Sequence, residues 1–255
     1  MDIFSALDGL LWLTAALVPL VILQRLLHRE IQAVILILTR RPGLTQVIFA
    51  ILFFPGVFLH ELSHFLVARL LGLRTRRFSL LPQATADGRL QLGYVEMVSG
   101  GVWRDSLVGA APLISGALFV AWAANGPLQL LPLWRLARDG YWELFWMGLR
   151  LLPEQPNFWV WFYLTFVVSS TMLPSAADRQ PWLIPALGVG VLFVLALLAG
   201  GGPWMLANLA PLMDAFLSGL AAIFGLSAGV HCLLLLPFFL LHRTLTRLTG
   251  VDVGV

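Results

Sequence analysis

Lysine is absent from this 255-residue chain, cysteine occurs once, and only 11% of the residues are charged. The shortage of charge excludes an ordinary soluble domain, in which roughly a quarter of residues are charged. With 59% hydrophobic residues and a mean hydropathy of +0.88, the chain reads as a polytopic membrane protein whose solvent is lipid. The lone Cys232 excludes an internal disulfide and gives no sign of an oxidised compartment; within its apolar run it is expected to be a small buried hydrophobe. Sixteen arginines supply all the basic side chains. They are scattered over loops rather than gathered on one soluble face, which argues against nucleic acid as a partner and for the lipid bilayer, with arginines snorkelling at helix ends. Strict alternation of apolar and polar residues is missing too, so the spans are expected to be helices and not the strands of a barrel. Repeats, low-complexity tracts and domain linkers are lacking, and residues 1–255 read as a single integral membrane domain.

What the chain does have is a series of long apolar runs. Leu7 to Leu27 reads as the first span, a retained one, because no basic region precedes it and no small-residue cleavage site follows. Ile31 to Thr39 is too short to cross and is either re-entrant, interfacial or an extension of its neighbour. Gln46 to Gly72 spans, with Pro55-Gly56 positioned to loosen the helix one turn before His60. Residues 74–98 change character: arginines interrupt, Asp87-Gly88 signals a turn, and a membrane-associated β-hairpin is expected. Ser106 to Ala124 spans on small residues that permit close packing. Asn125 to Pro156 is expected to be an extramembrane loop whose tryptophans sit in the headgroup zone. Phe158 to Leu173 and Leu183 to Ala199 span, and Trp204 to Leu241 is one kinked helix or two short ones. The fold class is therefore all-α, with about six transmembrane helices and one short hairpin. Arginines fall on both sides too evenly to fix orientation.

Within the second span lies His60-Glu61-Leu62-Ser63-His64. Imidazoles four residues apart share one helix face and can bind one metal ion, while the glutamate beside them handles a proton. Given five His and five Glu in the chain, His-Glu-x-x-His is expected by chance about 0.002 times. Ionisable groups in hydrocarbon are costly and usually functional. Two histidines leave a hydrolytic zinc site one ligand short. Asp178, after Thr171-Met172-Leu173-Pro174-Ser175-Ala176-Ala177, is the leading candidate, because a proline followed by small residues lets the chain turn a carboxylate inward. Asp214, after Asn208-Leu209-Ala210-Pro211-Leu212-Met213, has a similar outline and is the runner-up. The other histidines receive blander readings: His231 as a core residue bonded to a carbonyl, His28 and His242 as solvated groups near span ends. Glu96 reads as hairpin surface.

Phe58 to Gly72, running Phe-Leu-His-Glu-Leu-Ser-His-Phe-Leu-Val-Ala-Arg-Leu-Leu-Gly, resembles the metal helix of the site-2 protease family of intramembrane zinc metalloproteases. Ala111-Pro112-Leu113-Ile114-Ser115 is a looser echo of the family's Gly-Pro-x-x-Asn segment, with Ser115 where Asn is usual, and Asp178 lacks the family's Leu-Asp-Gly context. The resemblance implies Zn2+ held by His60, His64 and Asp178, Glu61 as general base and acid, and single-span membrane proteins as substrates. It also implies that the hairpin at 74–98 clamps the unwound substrate as an added strand. The expected activity is intramembrane zinc endopeptidase, in a prokaryotic inner membrane as a multi-pass protein. The alternative is a non-catalytic metal-binding subunit of a larger membrane complex, a role that a chain without PDZ or CBS modules also suits.

Overall fold

The computed structural model describes residues 8–79, 83–84, 90–91 and 93–251. Ten α-helices and four short strands are assigned among them. Helix α1 (Asp8–Thr39) runs unbroken through Pro19, so the 31–39 segment is an extension of the first span. Helix α2 (Pro42–Leu70) starts on a proline, whose missing N–H costs nothing at that position. It ends in a Schellman motif: Gly72 takes φ 74, its N–H bonds the Arg69 carbonyl, and Leu73 N–H bonds the Ala68 carbonyl at 2.8 Å. Leu73 then packs with Ala68 and Val108. The stop in the helix after the motif is therefore written in Gly72.

Strands β1 (Thr75–Ser79) and β4 (Tyr94–Met97) form an antiparallel ladder, with Arg77 opposite Glu96 and a bulge between Thr75 and Arg77. A second pair, β2 (Gln83–Ala84) and β3 (Leu90–Gln91), continues the hairpin. The expected turn at Asp87-Gly88, with Arg89, lies outside the described residues. Glu96 is exposed, as its surface reading requires.

Helix α3 (Val102–Asn125) follows. The expected loop over 125–156 is instead largely helical, with α4 (Leu130–Arg138) and α5 (Trp142–Leu151) sharing one cluster through Leu133, Leu136 and Phe145. Trp134, Trp142 and Trp146 are exposed on it. Helix α6 (Phe158–Thr171) has only 14 residues, and Pro174 keeps the chain from continuing it. The one-turn α7 (Ala176–Arg179), α8 (Leu183–Leu198), the short α9 (Gly202–Trp204) and α10 (Ala210–Thr249) complete the chain. A π-helical stretch, Met205–Leu209, joins the last two, and α10 is continuous through Gly225 and Gly229.

Among the described residues five helices are long and apolar enough to cross a membrane: Asp8–Thr39, Pro42–Leu70, Val102–Asn125, Ala176–Leu198 and Gly202–Thr249. The sixth expected span, Phe158–Thr171, is apolar but shorter. Helix α2 packs against α1, α3 and α6, and α1 lies along α10. One core cluster joins Leu27 and Ile31 of α1, Phe49, Phe53 and Val57 of α2, Phe166 and Val167 of α6 and Val230 of α10. Its neighbour joins Leu20, Val120, Val168, Met172 and Phe224. In lipid, such contacts hold by close packing more than by exclusion of water. Cys232 sits on the exposed face of α10, not in this core.

Candidate metal centre

Four positions separate His60 from His64, so the helical pitch places both on the face of α2 that meets α3 and α6. Each ring is oriented by a backbone carbonyl. His60 Nδ1 donates to the Thr171 carbonyl at 2.6 Å, and His64 Nδ1 donates to the Val108 carbonyl at 2.9 Å. Carbonyls only accept, so in the neutral rings both Nδ1 atoms carry the proton and both Nε2 atoms offer lone pairs. Those Nε2 atoms face each other at 3.3 Å.

Asp178 completes the group. Its Oδ1 lies 3.2 Å from His64 Nε2 and its Oδ2 3.8 Å from His60 Nε2. One ligand atom from each of the three residues falls within 4.8 Å of the others. A capping box delivers the aspartate: Ser175 Oγ accepts from Asp178 N–H, and the Asp178 carboxylate accepts from Ser175 N–H at 2.7 Å. Arg179 does not neutralise it, because Arg179 Nε donates to the Ser175 carbonyl instead. Two bare imidazole nitrogens and a carboxylate at these distances repel unless a proton or a cation lies among them. The donor set, two imidazoles and one carboxylate, could hold a metal ion.

Glu61 is buried and lies close enough to His60, His64 and Asp178 to interact electrostatically with all three. The hairpin passes directly over it: a Cβ on Gly93 would come within 2.9 Å of Glu61 Cγ and 3.2 Å of Val57 Cγ1. A cavity of about 1440 Å³ opens here, lined by His60, Glu61, His64 and Asp178 and by Gly93 to Val95 of the hairpin side. Its far flank carries Gln24, Gln32 and Gln46 from α1 and α2. Polar side chains in otherwise apolar helices give such a space a wettable wall.

Small residues set the spacing. Gly56 lies against α6, where a Cβ would overlap the Val167 carbonyl and sit 2.5 Å from Thr171 Oγ1. Gly109 of α3 lies against the Asp178 carbonyl in the same way. The loosening expected of Pro55-Gly56 is not seen; α2 is continuous, and the glycine serves close approach.

The runner-up ligand is elsewhere. Asp214 Oδ1 accepts from Gly9 N–H at 2.6 Å, capping the start of α1. His231 is fully buried, with Nδ1 bonded to the Ser227 carbonyl at 2.7 Å and Nε2 to Ser170 Oγ at 2.8 Å, as a core histidine should be. Two expectations of solvation are corrected. His28 packs edge-on against Phe49 and Phe53, and its Nε2 is buried. His242 Nδ1 meets the buried Glu30 carboxylate at 2.6 Å. Their neighbouring arginines suggested water, but α2 packs on His28 and the α1–α10 contact pairs His242 with Glu30. Comparison with protein-family models, with curated proteins and with solved structures finds no match to this chain.

Proposed function

We propose that this chain is an intramembrane zinc endopeptidase of the site-2 protease type, hydrolysing peptide bonds of transmembrane substrate helices. One observation carries the reading: two imidazole lone pairs and a carboxylate converge beside a buried glutamate in a cavity that carries polar side chains among apolar helices. His60, His64 and Asp178 would hold the ion. Zinc would supply Lewis acidity, polarising a carbonyl and making water nucleophilic near neutral pH.

The remaining work falls to the chain's own residues. Glu61 takes the proton from the attacking water and delivers it to the leaving amine, so one carboxylate serves as base and then as acid. A helical substrate hides its amides in its own hydrogen bonds and must be unwound before attack. The hairpin suits that task. Strand β4 pairs with β1 on one edge only, and no strand covers its other edge among the described residues. An extended substrate segment added there would run past Gly93, beside Glu61. The resemblance of Phe58–Gly72 to the site-2 metal helix supports the same reading.

The test is cleavage of single-span reporter helices by the purified full chain in detergent or lipid nanodiscs, with zinc measured in parallel. Wild type should cut at least one reporter. Glu61→Gln should retain zinc and fold but lose cleavage by about 100-fold or more, the range for a general base. Zinc binding without cleavage across the whole panel would favour the non-catalytic subunit instead.

A further inference from the structure

Inside an α-helix each carbonyl accepts from the N–H four residues ahead. Proline has no N–H to give. Helix α3 carries Pro112, four residues after Val108, so the Val108 carbonyl has no helical donor. Val108 is 2% exposed, which shuts out water as a substitute, and a buried carbonyl requires a partner. The partner is His64 Nδ1, 2.9 Å away on α2. Pro112 is itself fully buried, so its ring is part of the packed interior rather than a kink at the surface.

A helical N–H at this point would have engaged one of the carbonyl's two lone pairs and competed with the imidazole, weakening the bond that holds His64. The weaker that bond, the less it favours the Nδ1–H tautomer over one with the proton on Nε2, the nitrogen that faces His60 and Asp178. A protonated Nε2 cannot be a metal ligand. We propose that Pro112 is a positioning residue of the metal centre: by withholding an N–H from Val108 it reserves that carbonyl for His64 and fixes the ring's ligating tautomer. The inference rests on reading His60, His64 and Asp178 as metal ligands. The same turn of α3 also backs the third ligand through Gly109, so the segment from Val108 to Pro112 sets two of the three ligands.

The experiment restores the missing donor. Pro112→Ala and Pro112→Val are made in the full chain, with Pro237→Ala in α10 as a control for removing a helical proline far from the site. Zinc affinity is read by competition with a chelating dye, ligand geometry by the visible bands of the Co2+-loaded protein, and fold by thermal unfolding of the metal-free protein. Both Pro112 variants should bind zinc about 10–100-fold more weakly, the usual loss when the outer partner of a ligating histidine is removed. Their Co2+ bands should shift. Their metal-free melting temperature should stay level or rise, because α3 gains a hydrogen bond; a merely structural proline would not separate the two readouts in this way. Pro237→Ala should leave zinc affinity unchanged. Wild-type affinity and an unchanged Co2+ spectrum in both Pro112 variants would overturn the inference, as would an affinity loss that only tracks a lower melting temperature. Should neither variant fold, nitrogen NMR of histidine-labelled wild type decides: an Nδ1–H tautomer for His64 in the metal-free protein supports the inference and an Nε2–H tautomer overturns it. Wild type that binds no divalent ion would bring down the metal reading itself, an outcome distinct from tight binding that is indifferent to Pro112.

Discussion

Asp178 and Asp214 carry the same charge and follow similar stretches of chain, yet one faces two imidazoles and the other an amide. The contrast is testable at single residues. Asp178→Ala should weaken zinc binding by more than about 100-fold, because even groups that only support a ligand are worth 10–100-fold. Asp214→Asn should bind zinc as wild type does. It exchanges a charge-assisted bond to Gly9 N–H for a neutral one, at a stability cost of about 1 kcal/mol. Dye competition and thermal unfolding of the two variants check both halves; zinc loss in the Asp214 variant would reverse the assignment. The sequence did hold a signal separating them. Ser175-Ala176-Ala177-Asp178 has the Ser-x-x-acid form of a capping box, which pins the carboxylate at the start of a new turn. Asp214 has Pro211 at the matching place and no such hydroxyl. The histidine pair was legible from its spacing alone, because a helix face is a local property. Their carbonyl partners were not: Thr171 and Val108 lie 111 and 44 residues away.

At the level of elements, the contact of α2 with α6 governs the site, since Thr171 at the end of α6 orients His60 from α2. Gly56 lets the two helices meet. Gly56→Val would drive its side chain into the Val167 carbonyl and the Thr171 hydroxyl, backbone and short side chain that have little room to yield. Forced overpacking of this kind costs about 1–3 kcal/mol, and here it also displaces the acceptor for His60. The variant should unfold earlier in a denaturant titration and lose cleavage and zinc together; unchanged zinc affinity would show that α6 tolerates the shift. Helices were the most legible part of the fold, because long apolar runs in lipid have few other ways to satisfy their backbone. Boundaries were less so. At 32 and 40 residues, α1 and α10 reach ~48 and ~60 Å, well beyond a hydrocarbon thickness of ~30 Å, so their apolar stretches alone could not mark their ends. In the α4–α5 pair, tryptophans suited to an interface overlie a helical signal, since the spacing of Leu130, Leu133 and Leu136 carries a helical period.

Across the whole molecule, α1 and α10 are tied at both ends, by Gly9 to Asp214 and by Glu30 to His242, contacts 205 and 212 residues apart in sequence. The candidate ion site joins a different pair, α2 and the turn that follows α6. That turn, Met172 to Trp182, contains two short helical pieces and is fixed to the rest through Asp178 and the bonds of Ser106 with Pro181 and Trp182. A bound divalent ion should therefore stabilise the two regions unequally. With zinc at about a thousand times its Kd, the folded state gains ~4 kcal/mol, all of it through His60, His64 and Asp178. Stripping the ion with a chelator should raise hydrogen exchange over residues 172–182 and the His60–His64 turn, while the α1–α10 pair keeps its protection. Glu61→Gln should respond as wild type does, because it lies outside the ligand set. Equal exchange over 172–182 with and without chelator would mean that the turn is held by its own capping bonds, and that no ion spans the gap between Asp178 and the two histidines.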